Sequence, residues 1–523
     1  MRRKEVVLCS LMASASLFAQ EKRPNVLFIL ADDFGWNDTG CMGSKYYETP
    51  NLDRIARSGV LFTNAYAACQ VSSPSRVSIM TGKTPARHGV TNWIGEVSGT
   101  QWRKRGRHSK LLPASYEWHI SPREITLAET LKAAGYKTFM AGKWHMGDQE
   151  EDWPEYHGFD INKGGWTAGS PQGGYFSPYN NPRLSNGEPG ENLSLRLANE
   201  TISFLKDHQK KQKDQPFFAY LAFYAVHGPI ETTQEKWKHF RDKAEQQGIA
   251  PSGFEVDRTL PVRQTQDCPV YAGLVQQMDD AIGNVLKALE AMGLDKNTLV
   301  IFTSDNGGVT AGDSYSTAML SLRGGKGRQF EGGIRVPAFL RAPGIQKGQR
   351  CDVPIIGMDF YPTILSYCGV DMPEEQRVDG VDILPALKGE TLAERPLFWH
   401  YPHYGNQGGE PSSIVRRGDW KLIFYHEDQR VELYNLAKDI GEHECVNAQH
   451  PDKVEELKNL LDAWLIETNA RMPKADPTYD PIKEAEVKRK WRTATLQGLE
   501  AKRKAMLSED YKPNADWWGS QPE

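Results

Sequence analysis

The sequence predicts an α/β fold: a mostly parallel central sheet flanked by helices, with a smaller C-terminal domain of antiparallel sheet plus helix. Three observations carry that prediction. Continuous apolar runs recur, and several end in a polar cluster. Amphipathic helical stretches separate them. After about residues 385–395 the texture changes to short strand-like segments in close succession.

The elements follow in order. Asn25 to Ala31 (NVLFILA) is apolar throughout, as in a strand buried on both faces, and runs into Asp32-Asp33. Thr49-Pro50 opens a helix carrying Leu52, Ile55 and Ala56. Thr126 and Glu129 make a capping box ahead of a helix over Leu127 to Ala134. Lys137 to Ala141 reads as a short strand, Leu193 to Lys210 as a helix, and Phe217 to Val226 as a buried strand. Tyr271 to Met292 is a long helix with Leu274, Met278, Ile282, Val285 and Leu289 along one face. Leu299 to Thr303 is a further strand, followed by Ser304-Asp305-Asn306. Ligands of such sheets sit beyond the carboxyl ends of the strands, where these polar clusters fall. The C-terminal domain is expected from strands at 397–401, 413–416, 420–425 and 431–434 and a helix over Pro451 to Glu467. Residues 481–508, rich in Lys, Glu and Arg, read as a solvated helix.

Composition excludes several classes. The 523 residues are 39% hydrophobic and 25% charged, ordinary for a globular chain, so neither wholesale disorder nor a collagen-like repeat fits. A net charge of -4 gives no general reason to bind nucleic acid. Arg2, Arg3 and Lys4 precede an apolar stretch from Val6 to Phe18 with small residues at Ala13-Ser14-Ala15, the pattern of a secretory signal over residues 1–19. No second long apolar run follows, so the expectation is an exported protein, periplasmic in the favoured reading with secretion or surface attachment as the alternatives, and not stably inserted in a membrane. A catalytic domain over 20–390 and a C-terminal domain over 391–523 complete the division. The seven cysteines are far apart and form no CxxC, which fits neither a zinc site nor a dense disulfide framework.

The chemistry lies in four short segments: Asp32-Asp33, Ser72-Ser73-Pro74-Ser75-Arg76, Gly142-Lys143-Trp144-His145 and Ser304-Asp305-Asn306-Gly307-Gly308. Each alone has a bland reading. The serine segment also fits a helix start capped by Ser72, and the acidic pairs also fit turns. Asp32, Asp33, Asp305 and Asn306 offer hard oxygen ligands suited to calcium or magnesium. Lys143, Lys326 and Arg76 are cations, and His145 and His227 are possible proton carriers.

Taken together, and in this order along the chain, these segments resemble the formylglycine-dependent sulfatase family. The resemblance extends to Leu322 to Gly327, Glu331 to Pro337 and Leu433 to Leu436. It implies that Ser72 is converted to formylglycine. Nearby Cys69 does not fit that motif, because Val71 stands where proline is required. It implies one Ca2+ held by Asp32, Asp33, Asp305, Asn306 and residue 72. It further implies that Arg76 holds the formylglycine and that Lys143 and Lys326 neutralise sulfate oxygens. His145 would bond a formylglycine hydroxyl, and His227 would protonate the leaving oxygen. A serine at position 72 looks like the substrate of an anaerobic sulfatase-maturating enzyme acting before export. The implied reaction is exo-acting hydrolysis of a sulfate ester on a sugar of a sulfated glycan, with galactose or N-acetylgalactosamine sulfates favoured. The alternatives are a phosphomonoester or phosphonate hydrolase on the same fold, or a sulfated-glycan-binding protein if Ser72 stays unmodified. His403, Tyr404 and Asn406 resemble a sugar-recognition loop, and Trp102 is read as a substrate contact beside the basic run Arg103 to Arg107. That run fits either a solvated loop or a subsite for an anionic glycan.

Overall fold

The computed structural model describes residues 22–513. The signal-peptide expectation over residues 1–19 therefore lies outside the described residues.

The central sheet has eight strands: β1 (Asn25–Ala31), β2 (Val60–Phe62), β3 (Lys137–Gly142), β4 (Ile161–Lys163), β5 (Phe217–Ala222), β6 (Thr298–Ser304), β7 (Ala338–Arg341) and β8 (Gln349–Cys351). Their order is β8-β2-β7-β6-β1-β5-β3-β4. Only β7 runs antiparallel to its neighbours, so the sheet is mostly parallel. All seven residues of β1 are buried, as its uninterrupted apolar run requires. Leu27, Ile29 and Ala31 face one core, packed by helices Pro50–Ser58, Leu193–Lys211, Gln234–Gln247 and Pro269–Ala291. Val26, Phe28 and Leu30 face the other, packed by Ser72–Thr81, Leu127–Ala133 and Phe360–Cys368. Alternate side chains of one strand thus feed two helical layers.

The C-terminal sheet is antiparallel and four-stranded, in the order β9 (Leu397–Tyr401), β10 (Ser412–Arg417), β11 (Trp420–Tyr425) and β12 (Val431–Asn435). Ile414, Ile423 and Tyr434 pack on Tyr66, Phe330 and Ile334 of the larger domain. Val415, Leu422 and Leu433 pack on Leu457, Leu461 and Leu465 of the helix Pro451–Glu467.

Two expectations change. The strand read to Val226 ends at Ala222. Residues 223–226 stay buried but cross the end of β1, with Phe223 N donating to Leu30 O and Val226 N to Asp32 O. Apolar composition cannot distinguish pairing from crossing. The charged tail is not simply a solvated helix. Its last helix, Leu496–Met506, docks on the larger domain: Arg503 is buried on Asp267, and Trp237 Nε1 donates to Met506 O at 3.0 Å.

Candidate active site

Sheet register builds the site. Ala31 lies opposite Ser304 in the β1–β6 pair, so Asp32-Asp33 and Asp305-Asn306 leave the sheet side by side. Ala222 lies opposite both Leu30 and Gly142, which brings Lys143 and the His227 loop to the same edge. Gly142 is required there: its φ is +103°, and a Cβ would lie 1.8 Å from Ala222 O. Asp33 turns the chain at φ 60°, a conformation that aspartate tolerates better than most residues.

The helix Ser72–Thr81 points its amino end at these carboxylates. Its N-cap is Val71, with no side-chain cap, so Ser72 is the first helical residue and its hydroxyl is free for other use. Ser72 Oγ lies 3.1 Å from Asp32 Oδ1, 3.2 Å from Asn306 Oδ1 and 3.4 Å from Lys143 Nζ. Asp32, Asp33 and Asp305 are buried and offer oxygens within 4.8 Å of one another. Arg76 donates through Nε to Asp305 Oδ2 at 2.8 Å and through Nη1 to Lys143 O at 3.0 Å. Lys143 Nζ reaches Asp32 Oδ2 at 2.7 Å, and Lys326 Nζ reaches Asp33 Oδ2 at 2.8 Å.

The electrostatics are uneven. Burial pushes the Asp32 carboxyl up to about 8, because Lys143 offsets desolvation only in part and Asp305 and Asp33 add to the rise. Burial acts on Asp33 in the same direction, but Lys326 and His227 outweigh it and hold it below the usual carboxylate range. For Asp305, Arg76 and Lys143 likewise outweigh burial and lower it. Desolvation lowers Lys143, whereas Asp33 and Asp313 more than restore the charge on Lys326. Three close carboxylates, one of them under-compensated, fit a hard divalent cation, with the Asn306 amide alongside.

The histidines differ. His227 Nδ1 is 2.7 Å from Gly228 O, which only accepts, so Nδ1 carries the proton and Nε2 is left to exchange one. Nε2 lies 3.7 Å from Asp33 Oδ2. Burial, with Lys326 adding, lowers this imidazole to about 4. His145 has both nitrogens engaged, by Ser73 Oγ and Ile94 O, each at 3.3 Å. Gly169 packs so tightly on its ring that a Cβ would lie 2.4 Å from Cε1.

Ser72, Lys143, His145, His227 and Lys326 line one cleft of about 540 Å³, and Arg76, Asp32, Asp305 and Asn306 stand directly behind it. Of the four expected sugar contacts, only Asn406 lines the cleft. Trp102, His403 and Tyr404 are corrected to wall residues. Trp102 and Tyr404 stack on each other at 5.8 Å, and His403 is fully buried beside Thr91. An aromatic next to a polar loop is equally suited to lining and to backing a wall, and sequence does not separate the two. The cleft also contains Trp93, Glu96, Asp313 and Gln407, which sequence reasoning did not single out. No sequence motif marks them.

The Sulfatase family profile matches residues 24–370 of this chain. The chain belongs to the sulfatase family. It is a sulfuric ester hydrolase of the alkaline-phosphatase-like superfamily. A second profile, N-sulphoglucosamine sulphohydrolase C-terminal, matches residues 326–471 of this sulfatase. A sulfatase from Formosa agariphila is 32% identical, over 89% of this chain and 94% of its own length. An N-acetylgalactosamine-6-sulfatase from Canis lupus familiaris is 32% identical, over 77% of this chain and 72% of its own. The crystal structure of Ps i-CgsB in complex with k-i-k-neocarrahexaose superposes with a TM-score of 0.69 at 26% identity, covering 92% of this sulfatase and 100% of that chain.

Proposed function

We propose that this sulfatase is an exported, exo-acting carbohydrate O-sulfatase that uses calcium and a formylglycine made from Ser72. The observation that carries the reading is the strand register that gathers Asp32, Asp33, Asp305 and Asn306 around the Ser72 hydroxyl, in a cleft lined by Lys143 and Lys326. A sugar sulfate is favoured because the cleft is polar as well as concave, with Glu96, Asp313, Asn406 and Gln407 able to bond hydroxyls. Galactose or N-acetylgalactosamine sulfates are favoured within that class, in keeping with the relative named for N-acetylgalactosamine-6-sulfate.

Formylglycine, when hydrated, supplies one hydroxyl to attack sulfur and a second whose loss of a proton releases sulfate. A calcium ion held by Asp32, Asp33, Asp305 and Asn306 would supply charge stabilisation for the sulfuryl group. The chain's own residues do the rest. Arg76 fixes Asp305 and, through the Lys143 carbonyl, the start of the Lys143 loop. Lys143 and Lys326 face the cleft and stabilise negative charge as it develops. His227 Nε2 delivers the proton that a sugar alkoxide needs. The imidazole is neutral in the ligand-free site, and the negative charge of a bound ester raises its proton affinity. A dedicated maturase acts on Ser72 before export in this reading.

The test is the Ser72 peptide together with turnover. Protein made beside its maturase is expected to show a loss of about 2 Da at Ser72 and labelling by a hydrazide probe. It is expected to hydrolyse sulfated galactose or N-acetylgalactosamine faster than matched phosphate esters. Fully active protein with unmodified Ser72, or faster phosphate turnover, would overturn the reading.

A further inference from the structure

The cleft contains two arginines that the sulfate centre does not use. Arg105 and Arg107 come from the basic run after Trp102, and both line the cavity that holds Ser72 and Lys326. They differ in what balances them. Arg105 donates to Glu96 Oε1 through Nε at 2.9 Å and Nη2 at 2.6 Å, so its charge is spent. Arg107 has no such partner: among the described residues no carboxylate pairs with it, and its Nη1 donates to Gly405 O at 2.8 Å. Its guanidinium carbon lies 5.3 Å from the ring centroid of Trp102 and 5.3 Å from that of Trp491. Burial lowers its pKa, with Glu96 and Tyr401 offsetting only part of the effect, and it remains a cation at neutral pH. A half-buried guanidinium, held between two indoles and with donors to spare, is a fork suited to an oxyanion.

Trp491 belongs to the C-terminal tail, beyond residue 471 where the second matched segment ends. The tail is fastened in place. Arg492 Nη2 donates to Arg258 O at 2.7 Å, and Leu496 and Leu499 pack on the cluster of Phe254, Val262, Ala311 and Tyr315. Glu500 accepts from Gly253 N at 2.7 Å. The same cluster flanks Asp313 and Ser314, which line the cleft.

We propose that Arg107, clamped between Trp102 and Trp491, binds a second oxyanion of the substrate, a sulfate ester or a uronate carboxylate on the sugar next to the one being desulfated. The proposal rests on the sulfated-sugar reading above. Arg107 is thereby a specificity-determining residue, and Trp491 a positioning residue supplied by the tail.

The experiment compares kcat/KM on a singly sulfated monosaccharide and on two disaccharides containing the same sulfated sugar, one with a neighbouring uronate and one with a neighbouring sulfate. A charge-assisted pair of this kind is expected to set a preference of about tenfold to hundredfold for at least one doubly charged substrate. Arg107→Ala should erase that preference, and which disaccharide responds identifies the oxyanion. Arg107→Gln keeps the stem between the indoles and should erase it too, which covers the case in which the alanine variant fails to fold. Trp491→Ala should shrink the preference mainly through KM. Equal kcat/KM losses on all three sugars, or an unchanged preference, would overturn the proposal while leaving the sulfated-sugar reading intact. Turnover of an aryl sulfate with none of the three sugars hydrolysed would instead overturn that reading, and this proposal with it.

Discussion

Two clusters of buried charge, which come close in sequence at Lys326 and Glu331, behave differently. One joins Asp32, Asp33 and Asp305 to Arg76, Lys143 and Lys326. The other joins Glu331 and Glu442 to Lys421, with Arg335 on Glu331 and Tyr66 donating to it at 2.6 Å. Both are built from side chains removed from water, where an unpaired ion costs several kcal/mol. The first opens on the cleft through Ser72, Lys143 and Lys326. The second is closed: Lys421, Glu331 and Glu442 are fully buried, and they tie the Glu331–Ile334 turn to β11 of the C-terminal sheet. Burial and altered proton affinity therefore do not by themselves mark a catalytic centre. Facing a cavity does.

The largest expected effect sharpens the role of the open cluster. A sugar alkoxide leaves poorly without a proton, whereas a nitrophenolate leaves unaided. His227→Ala should therefore lose about 10²–10⁴-fold in kcat/KM on a sulfated sugar, and far less on an aryl sulfate. Equal losses on both substrates would make His227 a sulfate contact. His145 is the weaker substitute for the role, since both of its ring nitrogens already have partners.

A paired substitution then tests the contrast itself. Lys326→Ala should cost about 10²–10³-fold in kcat on sugar and aryl sulfates alike, because its ammonium serves the sulfate rather than the leaving group. Lys421→Met should leave kcat near the parent value and lower stability by about 3–5 kcal/mol, since it removes the cation of Glu442 and leaves Glu331 with Arg335 alone. Denaturant unfolding and steady-state kinetics on the same two variants read both effects. A Lys421→Met variant that folds normally but loses turnover would erase the distinction.

Much of this was legible in sequence, for identifiable reasons. β1, β5 and β6 are buried on both faces, so their composition alone announces them. The short strands Val60–Phe62 and Gln349–Cys351 carry too few residues to show a period, and β7 follows a proline and pairs antiparallel. Asp32-Asp33 and Asp305-Asn306 could be placed at strand ends, but their adjacency depends on register, which pairing decides. Residues of the sugar side were least legible. Trp102 and His403 are buried behind the cleft lining although their segments resemble recognition loops, while Asp313 enters it from a loop with no distinguishing pattern. The tail's charge suggested solvent, yet Arg503 is buried because Asp267, more than two hundred residues away, supplies its counter-charge.

The smallest expected effect concerns pH and the closed cluster. Burial raises Glu442 to about 7; Lys421 opposes the rise and the charge of Glu331 adds to it. Glu331 moves the other way, to about 2, because Lys421 and Arg335 outweigh its burial. In the unfolded chain both would titrate near the ordinary glutamate value of about 4.3. Between that value and about 7 the folded protein holds a proton on Glu442 that the unfolded chain has lost. The contribution of this group to stability is thus fully present below the unfolded value and is lost as pH rises through about 7. Glu331 gives the opposite limb: its stabilisation is present above the unfolded value and lost as pH falls toward about 2. Glu442→Gln fixes the neutral form and keeps an oxygen for the Glu331 N–H, which now donates to Glu442 Oε2 at 2.6 Å. The variant should therefore lose the downward slope of stability between pH 5 and 8, gaining on the order of 1 kcal/mol relative to the parent across that interval. Chemical denaturation at several pH values measures it. A parent protein whose stability is flat over that range, or a variant whose slope is unchanged, would show that Lys421 holds Glu442 ionised throughout. The closed cluster would then be a fully charged joint, balanced like the open one and distinguished from it only by the cavity.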